Sequence, residues 1–253
     1  MKKAKLRAPM RPKNRKRPIG TYHHQRRAKT AMKKAVSSAL AAIAVGMDYA
    51  NAAKHAVEQC GIMAVMQMSY GAGFTTGDNN LSRQSGRGGN PWLEKIYGAD
   101  VGQERTYMGW VMDSIAAVLA VNLADYQKSG VIDKQKAASA LQRKAAAEIN
   151  VVNRHGIMDA VEKWMPVLEA DDLSARLLWE SALLPTTRAW HASRHSKTYT
   201  AEEVEEFYQR DGNIYNCHCT VVPVITAADG TFFFQDGMQK EMGAELSKWR
   251  KSK

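Results

Sequence analysis

Residues 186–219, TTRAWHASRHSKTYTAEEVEEFYQRDGNIYNCHC, hold the densest set of reactive side chains in the chain: Arg188, His191, His195, Cys217, His218 and Cys219. Imidazole nitrogens and thiolate sulfurs are the donors zinc prefers, and His191, His195, Cys217 and Cys219 would make a four-ligand tetrahedral set. A four-residue spacing puts two histidines on one face of a helix, and a Cys-x-Cys pair points to one face of a strand. That pair is nevertheless tighter than the spacing of roughly two to four residues usual in structural zinc sites. The same residues also fit a hydrogen-bonded polar cluster in which Arg188 and His191 tie a helix to the loop before the last strands. The cofactor expectation is therefore none, or one structural zinc.

Two catalytic readings draw on the same segment. A nucleophilic thiol needs a base and a third group that orients it; Cys217 or Cys219 with His191 supplies two members, and no acid accompanies them. His191 and Asn213, set beside a cationic arm, suggest a metal-dependent nuclease or toxin-like enzyme acting on nucleic acid. That alternative lacks the paired acidic residues of a metal nuclease.

The charge distribution bears on the partner. Of the 36 Lys and Arg, 14 fall before Asp48, which is the first acidic residue, leaving 22 basic against 25 acidic side chains in the rest. A near-neutral body thus carries a strongly cationic beginning. Residues 1–30 mix these charges with Pro9, Pro12 and Pro18 and show no periodicity, which predicts a disordered basic arm. Its candidate phosphate contacts are Lys2, Lys3, Lys5, Arg7, Arg11, Lys13, Arg15, Lys16, Arg17, Arg26 and Arg27. Such contacts release condensed counterions and bind double-stranded DNA without sequence preference. Three cysteines make no disulfide framework, and no apolar run of signal-peptide length follows MKKAKLRAPM. The most apolar windows, 35–47 and 111–123, fall short of the roughly 20 residues of a membrane span.

The elements that must position the segment follow from periodicity. Val36, Leu40, Ile43 and Met47 begin a helical stripe that runs on through Ala50, Ala53, Val57, Cys60 and Ala64. Met63, Met66 and Met68 read as core packing. Gly, Ser and Asn between 71 and 102 predict a long loop. Further helices are expected over 104–126, from a cap at Asp133 to a stop at Gly156, and from Ile157 to Leu168. The run 177–184 fits a strand or a helix. Thr200 and Glu203 form a capping box with Tyr199 and Val204 as its hydrophobic staple. Residues 220–225 and 231–235 around Asp229-Gly230 read as a β-hairpin. Met238, Met242, Leu246 and Trp249 share one face of a last helix.

Trp179, Thr187-Arg188, His191, the pair His195-Ser196, and Asn216-Cys217-His218-Cys219 followed by Pro223 stand in an order that resembles the phage Mu protein F-like minor head proteins, or phage head morphogenesis proteins. Trp179, Thr187, Arg188, His191 and Asn216 are the motif positions, structural or part of a metal site. Two departures stand out: His195-Ser196 replaces the usual Asp-Gly, which would alter a tight turn, and His218 replaces the Arg between the cysteines. The resemblance spans about residues 145–226. It implies a minor capsid protein of a tailed-phage head, acting in head morphogenesis at the portal vertex, in the capsid interior after assembly in the host cytoplasm. The implied partners are the portal protein, a capsid or scaffold protein and packaged DNA, with a part in genome packaging or ejection and no catalytic task.

Together these readings predict an α+β protein. Its expected parts are a basic arm over 1–30, a helical domain over 31–170 with a Gly-rich loop at 71–102, a small α+β domain with a hairpin over 171–236, and an amphipathic helix over 237–253.

Overall fold

The structure, a computed structural model, describes residues 6–11, 21–87, 102–129, 133–214 and 217–253, and of residues 21, 22, 102–110, 126, 127 and 129 the backbone alone. The elements run α1 (Thr21–Ala44), α2 (Tyr49–Gln59), α3 (Ile62–Ser85), α4 (Gly102–Ser129), α5 (Lys134–Glu169), β1 (Leu173–Glu180), α6 (Ala189–Ala192), β2 (Thr198–Tyr199), α7 (Ala201–Gln209), β3 (Thr220–Ala227), a π-helical turn over Gln235–Gln239, and α8 (Lys240–Lys251). The class is α+β, mainly helical with one small antiparallel sheet. No helix among the described residues is long and apolar enough to cross a membrane.

The chain divides into two compact units, Thr21–Ser69 with Gly98–Val152, and Met1–Gly20 with Tyr70–Tyr97 and Asn153–Lys253. The boundary expected near residue 170 is not where the chain divides, because α3 and α5 are each shared between the units.

The first unit is all helical. Ala28, Ala31, Ala35 and Ala39 on α1 and Ala52, Ala53 and Ala56 on α2 are buried, and such small side chains let helix backbones approach closely. The long helix expected here, with a break near Gly61, does break at Gly61 (φ 83°) and also at Gly46 (φ 94°), giving three helices, with Asp48 accepting from the N–H of Ala50 and Asn51 to start α2. Helix α1 begins at Thr21, so the last ten residues assigned to the disordered arm are helical. Cys60 is buried, as expected of a core residue.

The second unit carries a three-stranded sheet in the order β2-β1-β3, with Leu177 facing Tyr199 on one side and Pro223 on the other. Both faces of β1 are covered, which is why its sequence reads as a continuous apolar run. One face packs Leu177, Trp179, Val221 and Ile225 against Ile157, Val161 and Trp164 of α5 and Val204 and Tyr208 of α7. The other packs Leu178, Val222 and Val224 against Phe232 and Met242. β3 is an edge strand, the place where a proline such as Pro223 is tolerated. The Gln84 amide lies along that edge, donating to Pro223 O at 2.8 Å and accepting from Ile225 N at 3.0 Å, as a neighbouring strand would.

Three expectations change here. The Gly-rich stretch from 71 is helix through Ser85, because its glycines serve helix packing and not a loop. A Cβ on Gly73 would stand 1.9 Å from Asn153 O, and one on Gly156 would stand 2.2 Å from Tyr70 O. For the same reason Gly156 does not end a helix: α5 continues through it and through Pro166 to Glu169, and His155 sits inside it, 3.1 Å from Glu205. The hairpin also fails to form as two strands. The turn at 227–230 closes, with Gly230 N donating to Ala227 O, but only the bridge Thr226↔Phe232 follows. The chain then leaves the sheet so that Phe232, Phe234 and Met238 pack with Met242. That packing, with Leu246 also buried, covers the apolar face of α8.

Replacing Gly156 by Ala separates the two roles of this glycine. In an ordinary helix interior the change would stabilise by up to about 1 kcal/mol. Here the methyl meets backbone atoms, so urea unfolding should show a loss of about 1–3 kcal/mol; a gain would show that the helices can part without cost.

Candidate metal centre

The site forms where β1, α6, α7 and the approach to β3 converge, all within the second unit. β1 places Trp179 at the centre of an aromatic shell. Its ring stacks on Tyr208 at 5.3 Å and meets Phe207 edge-on at 4.9 Å. Its indole N–H donates to Ser181 Oγ (3.1 Å), and Ser181 Oγ in turn donates to the His191 carbonyl (2.6 Å). The short helix α6 is thereby fastened to the end of β1. Thr187 closes the turn before it, its Oγ1 accepting from Leu184 N at 2.8 Å. Arg188 fastens the other side, donating to Gly212 O (3.3 Å) and Asn213 O (2.9 Å) just past α7.

These attachments leave the His191 ring buried, 2% exposed, with its two nitrogens facing different groups. Nε2 lies 3.3 Å from Asn213 Oδ1. The amide of Asn213 can be oriented in only one way: its Nδ2 faces the Phe207 carbonyl (2.8 Å), an acceptor, and its Oδ1 faces the Trp190 indole N–H (2.8 Å), a donor. His191 Nε2 must therefore carry the proton, and Nδ1 presents its lone pair. That lone pair faces two sulfurs, Cys217 Sγ at 3.4 Å and Cys219 Sγ at 3.7 Å. The three donor atoms lie within 4.8 Å of one another and could hold a metal ion.

The two thiols are not equivalent. Cys217 is held well below the usual thiol range, first by the hydrogen bond from Cys219 and then by those from the Tyr208 hydroxyl and the Cys219 backbone. Cys219 is pushed up by the same Cys217 interaction and by burial. Burial also raises Tyr208, whose hydroxyl stands 3.4 Å from Cys217 Sγ. The Cys219 N–H points at Cys217 Sγ from 3.4 Å. A sulfur with this many donors around it is prepared as a thiolate, the form that binds metals.

His195 does not join the set, which corrects the four-ligand expectation. The i,i+4 argument requires one helix to carry both histidines, and α6 ends at Ala192. His195 falls in the following turn, where Nδ1 accepts from Ser181 N (3.0 Å) and Nε2 donates to Glu245 Oε2 (3.3 Å). The turn there is left-handed at Ser196 (φ 69°), a conformation that glycine adopts freely. His218 is exposed and borders the cluster without facing it closely. A cavity of about 30 Å³ adjoins the three donors, with Leu184, Thr187, Arg188 and His218 on its wall.

Of the other expected positions, Asn216 and the arm residues Lys2, Lys3, Lys5, Lys13, Arg15, Lys16 and Arg17 lie outside the described residues. Arg7, Arg26 and Arg27 are exposed. Arg11 departs from the free-arm expectation: it pairs with Glu180 (2.9 Å) and Glu245 (3.0 Å), while Met10 exchanges hydrogen bonds with Asn80. Asn213 and Ser181 are the positioning residues that spacing alone did not single out as such. Asn213 had been noticed only as a nuclease candidate. Comparison of the chain with protein-family models, with curated proteins and with solved structures finds no match.

Changing Asn213 to Leu keeps the side-chain size and removes every polar partner of His191 Nε2 and Trp190 Nε1. Urea unfolding should show a loss of about 1–3 kcal/mol for the buried His191 Nε2 left unpaired, whereas Trp190, 51% exposed, can turn to water. Unchanged stability would show that the amide does not set the ring.

Proposed function

We propose that the protein is a minor structural component of a tailed-phage head of the Mu F-like kind, acting in head morphogenesis at the portal vertex and touching packaged DNA through its basic beginning. The observation that carries this reading is the convergence of the motif residues into one holding assembly. Trp179, Thr187, Arg188, His191, Cys217 and Cys219 meet in space, and each orients or fastens a neighbour. The nearby carboxylates Glu180 and Glu245 are engaged by Arg11 and His195 and do not form an acid–base pair with the thiols. The portal and a capsid or scaffold protein are the proposed protein partners. The acid-free stretch before Asp48 suits non-specific contact with DNA in the capsid interior, with Arg11 reserved for anchoring the arm's root.

We further propose that the cluster holds one zinc ion. Tetrahedral zinc with Zn–S near 2.3 Å and Zn–N near 2.0–2.1 Å separates its sulfur and nitrogen ligands by about 3.6 Å. The observed separations are 3.4 and 3.7 Å. His191 also has the outer partner a ligating imidazole needs, donating Nε2–H to an amide oxygen that is itself held twice.

Two measurements test these proposals. Mass spectrometry of purified particles should find the protein at low, fixed copy number; particles that lack it contradict the virion role. Metal analysis of the purified protein should give one zinc per chain, lost on Cys217→Ser or Cys219→Ser and kept on His195→Gln. Zinc lost with His195→Gln and kept without the cysteines would overturn the ligand assignment.

A further inference from the structure

The geometry points to a metal centre whose fourth coordination position is open and takes one small exogenous ligand, a water molecule or a small anion, in place of a fourth side chain. This rests on the metal reading above. Structural zinc sites are closed by four protein ligands, whereas sites that keep a position for solvent have three. Three donors converge here among the described residues: His191 Nδ1 and the two sulfurs. The second histidine that spacing offered, His195, is bound at both nitrogens, by Ser181 and Glu245.

Space for the fourth ligand is already present. The cavity beside the donors has a volume of about 30 Å³, above the roughly 10–15 Å³ that one water needs. Its wall is chemically suited to an oxygen ligand or an anion. Thr187 Oγ1 accepts from Leu184 N and so keeps its own hydroxyl proton to donate. Arg188 lines the same cavity, and the carbonyls of Gly212 and Asn213 fix its guanidinium. A divalent ion with two thiolates has no net charge; an added anion makes the centre negative and Arg188 balances it. A protein cation fixed beside an open metal position can balance a bound anion in addition to fastening α6. His218 stands at the mouth of the cavity, exposed and without a hydrogen-bond partner among the described residues. It borders the entry and lies outside the group of converging donors.

The test uses the full chain loaded with cobalt(II) in place of zinc and read by visible absorption, with azide as the probe anion. Cobalt should give thiolate charge-transfer bands. Azide should then shift the d–d bands saturably, one azide per cobalt. Arg188→Met should weaken azide binding several-fold while Arg188→Lys largely preserves it, and His218→Ala should leave the response in place. Should Arg188→Met fail to fold, the titration of the unaltered protein and of Arg188→Lys still decides the matter. Bands that form but do not respond to azide overturn the open position. A response that appears only in His218→Ala also overturns it, since the imidazole then fills the site. The absence of any thiolate–cobalt band is a different result, and it removes the metal reading itself.

Discussion

The His191 ring faces two sulfurs with a bare nitrogen because Asn213 leaves it no alternative. The amide is held at one end by a carbonyl that can only accept and at the other by an indole that can only donate, so the imidazole proton is forced onto Nε2. Everything else at the site serves this arrangement. Ser181 holds the backbone of His191, Arg188 holds the backbone of Asn213, and Tyr208 supports Cys217 from the far side. The second unit's larger core cluster is built around the same group, since Trp179, Phe207 and Tyr208 belong at once to the aromatic shell of the site and to the packing beneath the sheet. Loss of the ring's orientation therefore reaches the fold as well as the donors.

Much of the local structure was legible in the residues. The capping box at Thr200 and Glu203 forms with both of its hydrogen bonds, and Val204 is fully buried at its staple position. Cys217 and Cys219 both meet His191, although they precede β3 and do not lie in a strand. The failures have physical causes. Glycine lacks a Cβ whether the chain must turn or two helices must touch, so composition could not distinguish a loop from the crossing that Gly73 and Gly156 make. Histidines four apart share a face only along a continuous helix, and α6 is too short to include both. The Asp229-Gly230 signal did mark a turn, but β3 pairs instead with β1, more than forty residues earlier. Long-range pairing of that kind leaves no local trace.

The basic beginning of the chain shows a similar division between local and distant causes. Charge density alone made every Lys and Arg there equivalent. In the fold Arg11 is distinct, half-buried and paired with Glu180 and Glu245, and Glu245 also receives His195. The arm is thus fastened at its root to the strand and helix that flank the site. α8, which reads from its sequence as a free amphipathic helix, is fastened in the same network through Glu245 and packs Met242 under the sheet. Buried ion pairs like these favour a single arrangement of elements, because an unpaired member would be left desolvated.

The central claim is that two sulfurs and one imidazole nitrogen of this segment form one metal-binding group. X-ray absorption at the zinc edge on the purified chain measures it directly. The account predicts two sulfur neighbours near 2.3 Å with nitrogen or oxygen neighbours near 2.0–2.1 Å. A zinc surrounded only by nitrogen and oxygen, or no bound zinc at all, would contradict it.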